Sequence, residues 1–190
     1  MSHLAKRRKL NYIRILGSSI GGFLGIAAIA FLSEFSGASF LMPPFGATCV
    51  IAFVIPESAF AQPQNIVGGH LLSSTIGILC YNIFQTHWWS LAIAVGLCIA
   101  SMQLTKTLHP PAAADPVLIL MQGGVPWSFL VTPVLLGSLV LVLLALIYNN
   151  LIVNRPYPKK KFIGTQVLEE RIKRREDIKI ETREVPSEGK

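Results

Sequence analysis

Between Ile15 and Asn154 only Glu34, Glu57, Lys106 and Asp115 carry charge. A water-soluble domain scatters charged side chains along its length, because its surface faces water. So long a stretch with so few of them predicts an integral membrane domain. The flanks reverse the pattern. Lys6, Arg7, Arg8, Lys9 and Arg14 come first, without an acid, and residues 155–190 hold eleven Lys/Arg and seven Asp/Glu. The net charge of +7 therefore belongs to the ends. There, positive residues mark the cytoplasmic side and meet anionic membrane lipid, so the charge is no signal for nucleic acid. The chain divides into a basic cytoplasmic arm (1–11), a transmembrane domain (12–152) and a charged cytoplasmic tail (153–190). In the tail, Val167, Leu168, Ile172 and Ile178 are spaced for a short amphipathic helix.

The expected fold class is all-α, a polytopic membrane protein of four transmembrane helices plus two Pro-Pro-initiated half-helices. The spans are predicted at about Tyr12–Phe35, Asn65–Phe84, Trp88–Leu108 and Trp127–Leu151. The first follows a basic region, as a secretory leader would. Its apolar run is as long as a bilayer span, however, which predicts a retained helix. Gly17, Gly21 and Gly25 recur along it every four residues, as do Gly69, Ser73 and Gly77 along the second. Such faces let helices approach closely, within one protomer or between protomers of a homo-oligomer. Cys49, Cys80 and Cys98 lie inside apolar segments without paired spacing, so neither a disulfide framework nor a metal site is expected.

Pro43-Pro44 and Pro110-Pro111 lie 67 residues apart, and each leads into small residues and a short apolar run. Proline suits the first helical turn and not the interior. These runs, about Phe45–Ile55 and Ala112–Met121, are too short to cross a hydrocarbon core of about 30 Å. The pattern predicts a twofold internal repeat, about 12–84 and 85–152. Re-entrant half-helices would give four full spans in parallel repeats. Half-helices that cross together with their lead-in would give six segments and an inverted repeat. Either way the termini share a side, and the basic flanks place it in the cytoplasm, with the polar loop Pro56–Gln64 on the outer side.

A helix that begins inside a membrane offers unpaired N–H groups and a partial positive charge to an anion. Phe45, Gly46, Ala47 and Thr48 after one Pro-Pro pair, and Ala112 and Ala113 after the other, are the candidate backbone contacts. Lys106 is a candidate cation, because an intramembrane lysine is costly and functional by default; an ion pair with Asp115 is its structural alternative. Helical spacing would set Gln103, Lys106 and Thr107 on one face. His109 is a candidate ligand or proton group, and His70 a weaker one. No cofactor is implied, and none of the usual catalytic motifs is present, so the chain is not read as an enzyme. The competing readings are an intramembrane metal-binding protein or enzyme built on His70, His109 and Asp115, and a structural scaffold.

His109-Pro110-Pro111 with its small residues, Pro44-Phe45-Gly46-Ala47, and Gln62-Pro63-x-Asn65-x-x-Gly68-Gly69-His70 together resemble the HPP family of integral membrane proteins. The resemblance covers about residues 10–152. It implies four transmembrane helices and, from plant and cyanobacterial members associated with nitrite transport, nitrite as the solute. It adds Asn65 and reinforces His70 as substrate-binding candidates. Alanines stand at 112–114, where the family often shows glycine. The resemblance implies a bacterial or cyanobacterial plasma membrane, or a chloroplast envelope in a plant.

Overall fold

The computed structural model describes the backbone of residues 3–159 and the side chains of residues 12–159. The tail beyond residue 159, with its expected amphipathic helix, lies outside the described residues. Among the described residues all regular structure is helical. Helix α1 (His3–Ser36) continues the first span back through the basic arm. It is followed by α2 (Pro43–Val54), α3 (Pro63–Phe84), α4 (Trp88–Leu104), α5 (Asp115–Met121) and α6 (Leu136–Ile147). A 3-10 turn, Pro110–Ala114, feeds α5, and α6 lies within a longer apolar helical segment, Trp127–Ile152.

Among the described residues, three segments are long and apolar enough to span a membrane: Tyr12–Ser36, Pro63–Phe84 and Trp127–Ile152. Both predicted half-helices form and both begin at proline. The predicted span Trp88–Leu108 is helical only to Leu104. Lys106 then adopts a positive φ of 58°, and His109, the residue before Pro110, is extended, as steric conflict with a following proline ring requires. Gln103, Lys106 and Thr107 therefore do not share a helix face.

The glycine faces are filled inside the protomer at Gly21, Gly25, Gly69 and Gly77, whereas Gly17 has nothing within 4 Å of its missing side chain. A Cβ on Gly21 would sit 2.6 Å from the Phe53 ring and 3.0 Å from the Tyr148 ring, and one on Gly25 would sit 2.8 Å from the Cys49 sulfur. Aromatic rings and a thiol, rather than a helix backbone, fill this face. Tyr148 adds a hydrogen bond from its hydroxyl to the Gly17 carbonyl at 2.6 Å. Gly21→Leu is expected to cost about 1–3 kcal/mol through overpacking. Gly22→Leu, on a face with nothing within 4 Å, should be nearly silent. Thermal unfolding of the two variants in one detergent checks this, and equal melting points would contradict the packing.

These contacts also set direction. Phe53 lies by Gly21 and Cys49 by Gly25, so α2 runs antiparallel to α1. Leu141 lies by Gly25 and Tyr148 by Gly21, so α6 is antiparallel to α1 as well. The second Pro-Pro segment instead runs parallel to α3: His109 packs on Gly69, Pro116 and Ile119 pack on Gly77, and Tyr81 faces Gly124. The loop before α3 meets the chain just after the last span, because the Tyr157 hydroxyl donates to the Ala61 carbonyl at 2.7 Å. The loop 56–64, expected on the side opposite the C-terminal end of that span, therefore lies at the same end as it.

Candidate functional site

The small face of α3 lets the second Pro-Pro segment lie close to it, and this closeness assembles the site. His70 is one position off that face and fully buried, with Ser74 one turn later on the same stripe. Its Nδ1 lies 2.8 Å from Asp115 Oδ2, and Ser74 donates to the same oxygen at 3.2 Å. On its other side His70 Nε2 lies 2.9 Å from the Thr48 hydroxyl. That hydroxyl also lies 2.9 Å from His109 Nε2. His109 Nδ1 faces the Phe60 carbonyl at 2.8 Å, so it carries a hydrogen and donates. The result is one hydrogen-bonded chain, Asp115–His70–Thr48–His109–Phe60 O, with side branches from Asp115 to Ser74 and from Thr48 to the Pro44 carbonyl at 3.2 Å and all four side chains at 0% exposure.

The elements explain the register. Thr48 lies in the second turn of α2 and Asp115 opens α5. They stand 67 residues apart, the same offset as the Pro-Pro pairs. His70 therefore bridges equivalent positions of the two half-helices. Phe45 backs it, ring edge to ring face, with centroids 5.1 Å apart. Asn65 reaches across to the Leu108 carbonyl at 3.0 Å and fixes the chain entering His109. Ser73 donates to the Ala112 carbonyl and lies 2.7 Å from the Cys98 sulfur.

Several expected features differ. Lys106 is exposed in its turn and does not pair with Asp115, whose partner is His70. The first N–H groups after each proline pair are closed rather than open: Phe45 N–H donates to the Met42 carbonyl and Ala112 N–H to the His109 carbonyl, both at 3.0 Å. Phe45 and Ala112 are buried core residues, whereas Ala47 is exposed, and Gly46 and Ala113 are half-buried. The two helix starts do meet. Pro43, Pro44, Ala47, Val50, Ile51, Pro110, Pro111 and Ala114 line a shared apolar groove of about 590 Å³, open where Ala47, Val50 and Ala114 are exposed. Ser73, Ser74 and the Phe60 carbonyl were not among the expected site residues. For Ser74 the signal was its place four residues after His70.

His70, His109 and Asp115 converge as the metal reading supposed, but both Nε2 atoms are turned on Thr48. Among the described residues, no group of three or more His, Cys, Asp or Glu side chains is placed to hold a metal ion.

The family described as HPP, transmembrane region, matches residues 7–158, a stretch that contains every residue of the relay. The chain belongs to the HPP family. It is an integral membrane protein. Similar proteins include two from Dictyostelium discoideum. One, "Transmembrane protein DDB_G0273707/DDB_G0273361", is 37% identical over 153 residues, 74% of this chain and 49% of that protein. The other, "Transmembrane protein DDB_G0269096", is 37% identical over 125 residues, 62% of this chain and 44% of that protein. This HPP chain thus spans about half the length of the curated relatives it matches. Their origin lends no support to a bacterial or cyanobacterial plasma membrane. No solved structure matches. In this HPP chain the residue that names the motif, His109, ends a buried polar chain, and the two prolines that follow wall the groove.

Proposed function

We propose that this HPP domain carries a small monovalent anion across the membrane, with nitrite the first candidate. The observation that supports this most is the meeting of two proline-initiated helix starts beside a fully buried His–Asp cluster. Ionisable side chains inside a membrane domain are rare and mark solute or proton pathways. Half-helix starts facing one point are how many transporters form a binding site. The opposed directions of the helices support an inverted repeat: α1, α2 and α3 as one unit, and α4, the second Pro-Pro segment and α6 as the other. In this arrangement the four long segments span the bilayer, the half-helices begin within it, and both termini lie in the cytoplasm. The proposal includes a homo-oligomer, with its contacts away from Gly21, Gly25, Gly69 and Gly77, which are filled within the protomer.

The site revises which residues carry the reading. His70, His109, Thr48 and Asp115 take the place given to Lys106, and Asn65 acts by holding the Leu108 carbonyl. The test is nitrite uptake into proteoliposomes of the full chain. His109→Ala is expected to abolish saturable uptake, while Lys106→Ala leaves it at the parent level. Loss of uptake in Lys106→Ala with retention in His109→Ala would return the cation to the centre of the mechanism. No saturable uptake by folded parent protein would reject transport of nitrite.

A further inference from the structure

The Thr48 hydroxyl has one hydrogen but faces two imidazole nitrogens, each at 2.9 Å, and the Pro44 carbonyl at 3.2 Å. At least one Nε2 must therefore donate to it. If the donor is His70, its 2.8 Å contact with Asp115 needs a further hydrogen, on Nδ1 or on the carboxyl. If the donor is His109, its Nδ1 must still donate to the Phe60 carbonyl, so both of its nitrogens carry hydrogen. Turning the hydroxyl to the Pro44 carbonyl would make both imidazoles donate and load a second, uncompensated proton, whereas either arrangement above holds one proton more than a carboxylate and two neutral imidazoles would. That proton makes the cluster electrically neutral, as a buried apolar setting favours. Turning the Thr48 hydroxyl from one imidazole to the other exchanges the two arrangements.

Few other groups compete for this proton. Cys98 faces the cluster from α4 through Ser73. Cys49 on α2 is turned toward α1. Lys106 is exposed in its turn. One oxygen of the cluster, Asp115 Oδ1, is buried without a hydrogen-bond partner.

The groove between the helix starts is lined by proline, alanine, valine and isoleucine, with no cation among them. The groove is open where Ala47, Val50 and Ala114 are exposed, yet a bare anion passing its apolar wall within a membrane would shed hydration without a counter-charge, at a cost of several kcal/mol. The neutral conjugate acid of the same anion meets no such penalty. Two wall residues, Ala47 and Ala114, immediately precede Thr48 and Asp115 in the chain.

We propose that the cluster is a single-proton store that protonates the solute, so that the carried class is the anions of weak acids. This rests on the transport reading above and narrows its substrate. The stored proton leaves the His–Asp cluster and bonds to an oxygen of nitrite, forming nitrous acid. Asp115 is left as carboxylate with two neutral imidazoles. A proton from water on the entry side then restores the store. The acid dissociates on the far side, so one proton moves with each anion in the same direction.

Full-length protein with 15N-labelled histidine, in lipid vesicles, tests the store. The expected spectra at neutral pH show a shared or doubly protonated imidazole or, with 13C-labelled aspartate, a protonated Asp115 carboxyl, absent in Thr48→Val and kept in Thr48→Ser. The same vesicles, loaded with a pH-sensitive dye, test its use. Nitrite and formate are expected to enter and acidify the lumen, chloride and nitrate are not, and Thr48→Val loses the acidification. Two singly protonated imidazoles beside an ionised Asp115, read from the carboxyl carbon shift of 13C-labelled aspartate in the same sample, overturn the store. Nitrite entry without acidification, or chloride and nitrate entry at the nitrite rate, overturns the weak-acid assignment. A doubly protonated imidazole with no anion flux rejects the transport reading and leaves the store standing.

Discussion

Asp115→Ala is expected to destabilise the folded protein by about 3–5 kcal/mol, the range for removing one partner of a buried ionic pair. Asp115 is fully buried and is the only acidic side chain between Glu57 and the tail. Its carboxyl group is the partner of both His70 Nδ1 and the Ser74 hydroxyl. Truncation leaves those donors facing apolar atoms, and each buried unsatisfied donor costs about 1–3 kcal/mol. Asp115→Asn keeps the volume and can still accept from His70 through its amide oxygen, so it is expected to cost less. The ordering parent, Asn, Ala in detergent-resistant melting temperature is the check. An alanine variant that melts with the parent would mean that the cluster contributes nothing to the fold.

Phe45→Ala is expected to cost a similar amount, about 3–5 kcal/mol, by a different route. The ring is fully buried between His70 and α6. A Cβ on Gly137 would lie 2.5 Å from it, so Gly137 is glycine because the ring takes its space. Removing the ring opens a void on α2 beside the buried histidine. Adding Gly137→Ala to Phe45→Ala should recover part of the loss, whereas Gly137→Ala alone should destabilise by collision. This sign reversal in a double-mutant cycle is specific to direct contact. Simple additivity of the two changes would refute the packing described for Phe45.

Much of this architecture is legible in the residues. The charge-poor interior requires lipid, and Pro43-Pro44 and Pro110-Pro111 begin helices because proline needs no N–H partner there. The 67-residue offset pairs Thr48 with Asp115, although nothing in the sequence says that His70 lies between them. That follows from α3 packing parallel to the second Pro-Pro segment, a tertiary fact that its small face permits but does not require. The shared face of Gln103, Lys106 and Thr107 does not form because helix-face arithmetic assumes that the helix continues, and it ends at Leu104. The correcting signal was His109-Pro110, since the residue before a proline avoids helical backbone. The side assigned to the loop 56–64 failed for a related reason: counting only full spans ignores the distance covered by α2. The N–H groups of Phe45 and Ala112 looked open because sequence does not show that the preceding carbonyls turn back to take them.

Tyr157 gives the molecule a property that no single helix has. Burial pushes its hydroxyl above the ordinary tyrosine range, so it stays a donor to Ala61 under all physiological conditions. Asn150 grips the same residue through both backbone groups, its amide nitrogen donating to the Tyr157 carbonyl and its oxygen accepting the Tyr157 N–H at 3.0 Å. Ala61 follows Phe60, whose carbonyl receives His109. The exit of the polypeptide from its last membrane segment is thus riveted to the strut on which the buried hydrogen-bonded chain ends. A tug on that exit is a tug on the catch.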